Sequence, residues 1–109
     1  MKTLTDTSFN EVVTSPKPVI IKFEAKWCQP CKAMTPIMLE IEKELADQVT
    51  FFSANVEHCS LIAQRFKVTQ IPALLAIDNG VVTAQKTGAA KKSEVLAWID
   101  LALPSLRQS

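Results

Sequence analysis

The chain has 109 residues, of which 48% are hydrophobic and 21% are charged, and its formal net charge is +1. This length and composition predict one globular domain over residues 1–109 and argue against a disordered chain. The longest basic run is Lys91-Lys92, and no apolar run is long enough for a secretory signal or a membrane span, so we expect neither nucleic-acid binding nor membrane insertion.

The first half of the chain predicts a helix, a strand, a long helix and another strand. Thr5 or Asp6 is expected to cap a short helix that carries Phe9, Val12 and Val13 on one face. Residues 19–25 form an apolar run that is typical of a central strand covered on both faces, although Lys22 and Glu24 interrupt it. Residues 49–54 predict the second strand.

The long helix is predicted from apolar residues at helical spacing after the cysteines. Pro30 lies where a proline is tolerated in the first turn, and Pro36 is expected to kink the helix. The stripe consists of Met34, Ile37, Met38, Ile41 and Leu45.

The second half predicts a short helix, a hairpin and a last helix. Ile62 and Phe66 indicate the short helix after Cys59. Residues 73–77 and 81–87 flank Asp78-Asn79-Gly80, which is a strong signal for an antiparallel hairpin. Ser93 is expected to cap the last helix, and the tail from Ser105 is expected to fray. This order implies an α/β fold with a central mixed sheet and helices on both faces. The core face of the last helix is predicted to hold Val95, Leu96, Ile99, Ala102 and Leu103.

Cys28 and Cys31 are separated by two residues and lie at the junction between the first predicted strand and the long helix. A disulfide across so short a loop adds little stability, so reversible redox chemistry is the better interpretation. The alternatives are a structural pair, or a zinc site completed by His58 and Cys59, although this spacing differs from that of common zinc sites. Cys59 by itself is expected to be a partly exposed thiol at a helix start, either inert or regulatory. If Met1 is the true start, we expect a cytoplasmic protein in a reducing thiol pool.

From about Leu4 to Leu103 the sequence resembles the thioredoxin family. The resemblance rests on six features in order, and it implies the thioredoxin fold and a protein disulfide oxidoreductase. These features are residues 4–9, residues 27–32, Pro36 in the long helix, Ile71-Pro72, Asn79-Gly80 and Gly88-Ala89.

The resemblance also implies a role for each matching residue. Cys28 would be the exposed nucleophile that attacks a substrate disulfide, and Cys31 would be the less exposed resolving thiol. Ile71-Pro72 matches the family's cis-proline, where the backbone pairs with an extended substrate segment. A thioredoxin reductase or another dithiol donor is implied as a partner, and a monomer without metal or cofactor is expected. The surface that receives protein substrates would consist of Trp27, Ile71, Pro72, Gly88 and Ala89.

Near the cysteines, the sequence departs from the family pattern. Gln29-Pro30 replaces Gly-Pro, Lys22 stands where the family has a buried aspartate, and Glu24 stands where it has tryptophan. The family's accompanying lysine falls at Ser53. A protonated lysine favours a nearby thiolate, whereas a carboxylate opposes it. Lys22 and Glu24 lie two apart on a strand, so we expect them to pair and to cancel much of each other's field.

These departures lead to two functional hypotheses. The first is a redox protein somewhat more oxidising than about −270 mV, the thioredoxin reference. The alternative is a thioredoxin-fold binding module in which Lys22 and Glu24 have weakened turnover. Reduction of a model disulfide, with Cys28→Ser as the control, separates the two hypotheses.

Overall fold

The computed structural model of the protein describes residues 1–107. No helix in this part of the chain is long and apolar enough to cross a membrane. Its elements follow one another as β1 Lys2–Leu4, α1 Asn10–Val13, β2 Val19–Glu24, α2 Gln29–Leu45, β3 Thr50–Asn55, α3 Ser60–Arg65, β4 Ala73–Asp78, β5 Val81–Thr87, α4 Lys92–Ala102 and the 3₁₀ helix Pro104–Arg107.

The five strands form one mixed sheet in the order β1-β3-β2-β4-β5. β3 runs parallel to both β1 and β2, whereas β4 is antiparallel to β2 and β5. One core cluster contains Val12 of α1 and Ile62 of α3, and a second contains Met38 of α2 and Ile99 of α4. The predicted α/β fold, with helices on both faces of a mixed sheet, is confirmed.

Two of the local predictions are confirmed closely. β2 is buried along its length apart from a half-buried Glu24, as expected for a central strand covered on both faces. The hairpin turns at Asn79 and Gly80, whose φ angles of 53° and 77° are the positive values that a two-residue turn needs. β2 therefore reaches the cysteines from the middle of the sheet.

The N-terminal predictions need correction. β1 was not predicted, because a three-residue strand with only Leu4 buried is too short to show an alternating pattern. α1 has Phe9 at its N-cap, rather than Thr5 or Asp6, and Val13 is 41% exposed. The Asp6 carboxylate instead accepts the backbone N–H of Ile62 at 3.2 Å and so caps α3.

The C-terminal predictions also need correction. α4 begins at Lys92 after a Lys91 N-cap, so it starts two residues earlier than a Ser93 cap would place it. The tail does not fray as far as Arg107, because the buried Asp78 accepts the backbone N–H of Ser105 at 3.0 Å and Leu106 packs against the core. The rest of that expectation, for residues 108–109, lies outside the described residues.

Candidate active site

Cys28 and Cys31 lie at the N-terminus of α2 and form a disulfide, with their Cα atoms 5.3 Å apart. Cys28 is the N-cap residue, and its Sγ accepts the backbone N–H of Cys31 at 3.3 Å. Pro30 occupies the first turn, as predicted, where its missing N–H has no intrahelical partner. An N-terminal N–H aimed at Sγ, together with the positive end of the helix dipole, favours a thiolate at Cys28 in the reduced protein.

The two sulfurs differ less in exposure than expected. Cys28 is 5% exposed and Cys31 is 1% exposed, so the expectation of an exposed Cys28 is wrong, although Cys28 remains the more accessible residue. Ala25 is buried in the same cluster, and Val56 and Ile71 pack against it. These apolar neighbours help to bury the disulfide.

The residues expected to receive substrate come from three loops. Trp27 precedes Cys28 and is 66% exposed, and Ile71 packs against the cysteine cluster. The Ile71-Pro72 bond is cis, and the Gly88 N–H donates to the Pro72 carbonyl at 2.8 Å, which holds two of the loops together. Ala89 is exposed, whereas Pro72 is buried. Pro72 therefore adds little apolar side-chain surface, contrary to the prediction.

The predicted pair of Lys22 and Glu24 is confirmed. The Lys22 side chain is fully buried, and its Nζ donates to Glu24 Oε1 at 2.5 Å, to the Cys31 carbonyl at 2.9 Å and to Thr35 Oγ1 at 2.9 Å. All three ammonium donors have acceptors, which is the condition for keeping a charge in the interior. Gln29, by contrast, is exposed to solvent.

Thr35 and Asn55 were missed by sequence reasoning. Thr35 Oγ1 donates to the Cys31 carbonyl at 3.2 Å while it accepts from Lys22. The spacing from Cys31 to Thr35, one helical turn, was the available signal. Asn55 pairs with Glu24 across β2 and β3, and no local pattern points to it.

An open pocket of about 450 Å³ lies beside Cys31. Its walls come from the end of β2, the loop that follows, the first two turns of α2 and the end of β3. The lining residues are Glu24, Ala25, Lys26, Cys31, Lys32, Thr35 and Asn55.

Cys59 is fully buried, so the expectation of a partly exposed thiol is wrong. Its Sγ–H donates to the Leu4 carbonyl at 2.9 Å. Burial, followed by the nearby Asp6 charge, raises the pKa of Cys59 above its usual value, although the contact with the Asn55 backbone acts in the other direction. Cys59 therefore belongs to a different buried cluster from Cys28 and Cys31, and within residues 1–107 no three histidine, cysteine, aspartate or glutamate side chains gather into a metal site.

A mixed sheet that delivers a vicinal cysteine pair to the N-terminus of its longest helix, beside a cis-proline loop, defines the class of thiol-disulfide exchange proteins. Residues 1–101 match the family model described as Thioredoxin. The chain belongs to the thioredoxin family, as the sequence resemblance indicated, and it is a thiol-disulfide oxidoreductase.

Curated thioredoxins of bacteria are similar in sequence to this chain over most of their length. Thioredoxin C-2 of Corynebacterium nephridii is 39% identical over 97 residues, which cover 88% of this chain and 90% of the relative. The thioredoxin of Rickettsia typhi is 40% identical over 98 residues, covering 89% and 93%. The thioredoxin of Buchnera aphidicola is 38% identical over 98 residues, covering 89% and 91%.

Proposed function

We propose that Cys28 opens each exchange and that Cys31 completes it. The observation that carries this assignment is the Cys28–Cys31 bridge at the α2 N-terminus, with Cys28 at the N-cap and the more accessible of the two. The Cys28 thiolate attacks one sulfur of a substrate disulfide, and the other substrate sulfur leaves as a thiolate. Cys31 then attacks Cys28 Sγ, which closes the Cys28–Cys31 bond, releases the second substrate sulfur and leaves the substrate reduced by two electrons.

The substrate segment lies across Trp27, Ile71, Pro72, Gly88 and Ala89. The exposed Trp27 ring and the packing of Ile71 on the cysteine cluster support this position. Since Pro72 is buried, the loop contributes through its backbone, which pairs with an extended segment of the substrate. The bond from Gly88 to Pro72 keeps the two loops at a constant separation.

Lys22, Glu24, Gln29 and Pro30 tune the redox potential. The Lys22 charge favours a thiolate, and a stabilised thiolate stabilises the reduced form. Glu24 accepts a hydrogen bond from the same ammonium and offsets much of this field. The expected potential is therefore only somewhat more oxidising than about −270 mV.

The substrates are protein disulfides, and a thioredoxin reductase or another dithiol donor restores the dithiol. The chain works as a single domain over residues 1–109 and as a monomer, in the cytoplasm. The thioredoxins of bacteria to which it is similar support this setting. Direct thiol exchange needs neither metal nor organic cofactor.

Turnover of a model protein disulfide tests the two cysteine roles. Cys28→Ser should abolish reduction, whereas Cys31→Ser should accumulate a mixed disulfide with Cys28 that mass spectrometry detects. Cys59→Ala is the matched control, because it removes a buried thiol from another cluster, and it should retain turnover. A mixed disulfide that accumulates on Cys31 in the Cys28→Ser variant, with none on Cys28 in Cys31→Ser, would reverse the assignment. Absence of turnover in the unaltered protein would favour the binding-module alternative.

A further inference from the structure

The pocket beside Cys31 brings a carboxylate into the same open space as the resolving cysteine. Glu24 and Cys31 both line it, and the Glu24 side chain is 31% exposed. The volume of about 450 Å³ exceeds the roughly 30 Å³ that one liquid water occupies, so the pocket that both residues line has room for water molecules. Among the described lining residues, Glu24 is the one carboxylate.

The nearest cation cannot take a proton from Cys31. Lys22 uses all three of its N–H groups, toward Glu24, the Cys31 carbonyl and Thr35, so it has no lone pair to offer. Thr35 donates its own proton to the Cys31 carbonyl. These bonds hold the Cys31 backbone in place and leave Glu24 with an oxygen that can accept.

From this arrangement we infer that Glu24 accepts the Cys31 thiol proton, through water in the pocket, when Cys31 resolves the mixed disulfide. The inference rests on the proposed roles of Cys28 and Cys31. In the step, Cys31 Sγ forms a bond to Cys28 Sγ, the bond from Cys28 to the substrate sulfur breaks, and the electron pair leaves with that sulfur. The proton moves to the Glu24 carboxylate and passes from there to bulk water or to the departing thiolate.

The charged groups that face Glu24 are Lys22 on β2, Lys26 on the following loop and Lys32 on α2, while β3 contributes the uncharged Asn55. A pH profile of the Cys31 step between about pH 6 and pH 8 tests which group takes the thiol proton.

The test is a rapid-mixing experiment with reduced protein and saturating dithiobis(nitrobenzoate), a disulfide whose thiol product is coloured. Attack by Cys28 releases the first equivalent, and attack by Cys31 on the mixed disulfide releases the second, at a rate that no longer depends on reagent concentration. The variants are Glu24→Gln, which keeps the side-chain size, and Glu24→Asp, which keeps the carboxylate. Glu57→Gln, an exposed residue outside the pocket, is the control for net charge.

With Glu24 as the acceptor, the second phase of the unaltered protein should change less than about threefold between pH 6 and pH 8, because transfer to a positioned acceptor does not require the Cys31 thiol to ionise beforehand. In Glu24→Gln the rate should instead rise about 100-fold over the same range, in proportion to the thiolate formed without help. Glu24→Asp and Glu57→Gln should keep the shallow profile. Equal slopes for Glu24→Gln and the unaltered protein overturn the inference.

Glu24→Gln leaves the buried Lys22 ammonium without its counter-charge, which destabilises the folded protein, so the test needs variants that avoid this effect. A second comparison, Lys22→Met against Lys22→Met with Glu24→Gln, removes the buried cation from both proteins. The first should show the shallow profile and the second the steep one, and equal slopes again overturn the inference. If the unaltered protein releases no second equivalent at any pH, the proposed cysteine roles fail and the inference fails with them. If a second phase is present but its pH slopes are equal in the compared proteins, only the role of Glu24 as proton acceptor is refuted.

Discussion

The buried ion pair between Lys22 and Glu24 can be tested by removing its two charges separately and then together. Lys22→Met keeps an unbranched side chain of similar length in a fully buried position. Glu24→Gln keeps an oxygen that can still accept from the ammonium. Each single variant leaves one charge without its partner, so its redox potential reports the effect of that remaining charge. The double variant removes both charges.

The expected shifts in redox potential follow from Coulomb's law. Lys22 Nζ lies 2.9 Å from the Cys31 carbonyl. For assumed separations from a thiolate of about 6 Å for the ammonium and about 8 Å for the carboxylate, and an effective dielectric of about 20, the ammonium stabilises the thiolate by about 3 kcal/mol and the carboxylate opposes it by about 2 kcal/mol. For a two-electron couple, Lys22→Met should make the potential more reducing by up to about 60 mV, and Glu24→Gln should make it more oxidising by up to about 45 mV. The double variant should fall within about 20 mV of the unaltered protein.

The potentials are measured by equilibrating each protein in glutathione buffers of graded composition and counting free thiols by alkylation and mass spectrometry. Lys43→Met and Glu57→Gln, which change exposed charges, are the matched controls and should leave the potential unchanged because solvent screens them. Shifts of the same sign in the two single variants would refute the electrostatic reasoning, as would a double variant that differs from the unaltered protein more than either single variant does.

Three further predictions concern other parts of the molecule. Trp27→Ala should raise the KM for a protein disulfide about tenfold, the equivalent of about 1.4 kcal/mol, and leave exchange with a small disulfide unchanged; Leu61→Ala, with a similar exposed fraction, should alter neither rate. Because the folded pKa of Cys59 is raised above its usual 9.0, the unfolded thiol ionises first, so the free energy of unfolding of the oxidised protein should fall above about pH 9. Denaturant titrations at one pH below and one pH above about 9 should show a larger fall in the free energy of unfolding for the unaltered protein than for Cys59→Ala. Asp6→Ala should cost about 1 kcal/mol in the same titration and speed amide exchange at Ile62, because α3 loses its cap, and exchange that stays equally slow in both proteins would contradict this.

The parts of the site that sequence reasoning predicted are local. Cys28 and Cys31 lie within one helical turn, so a strand-to-helix boundary at that point was enough to bring their sulfurs together. The pairing of Lys22 with Glu24 followed from the two-residue period of a strand, because alternate side chains share a face. The turn at Asn79-Gly80 followed from the positive φ angles that these residues tolerate.

Contacts between distant segments were decided only by the tertiary structure. Asp6 caps a helix more than fifty positions away, and β1 exists because Lys2–Leu4 finds a parallel partner in β3. The Cys59 thiol donates a hydrogen bond to the Leu4 carbonyl, and neither helical nor strand periodicity predicts this contact. The amino-acid sequence by itself determined which groups could carry redox chemistry, since their spacing along one helix and one strand sets their geometry. Which buried groups surround them was settled by the packing of separate elements, because residues remote in sequence become neighbours only when the sheet and helices assemble.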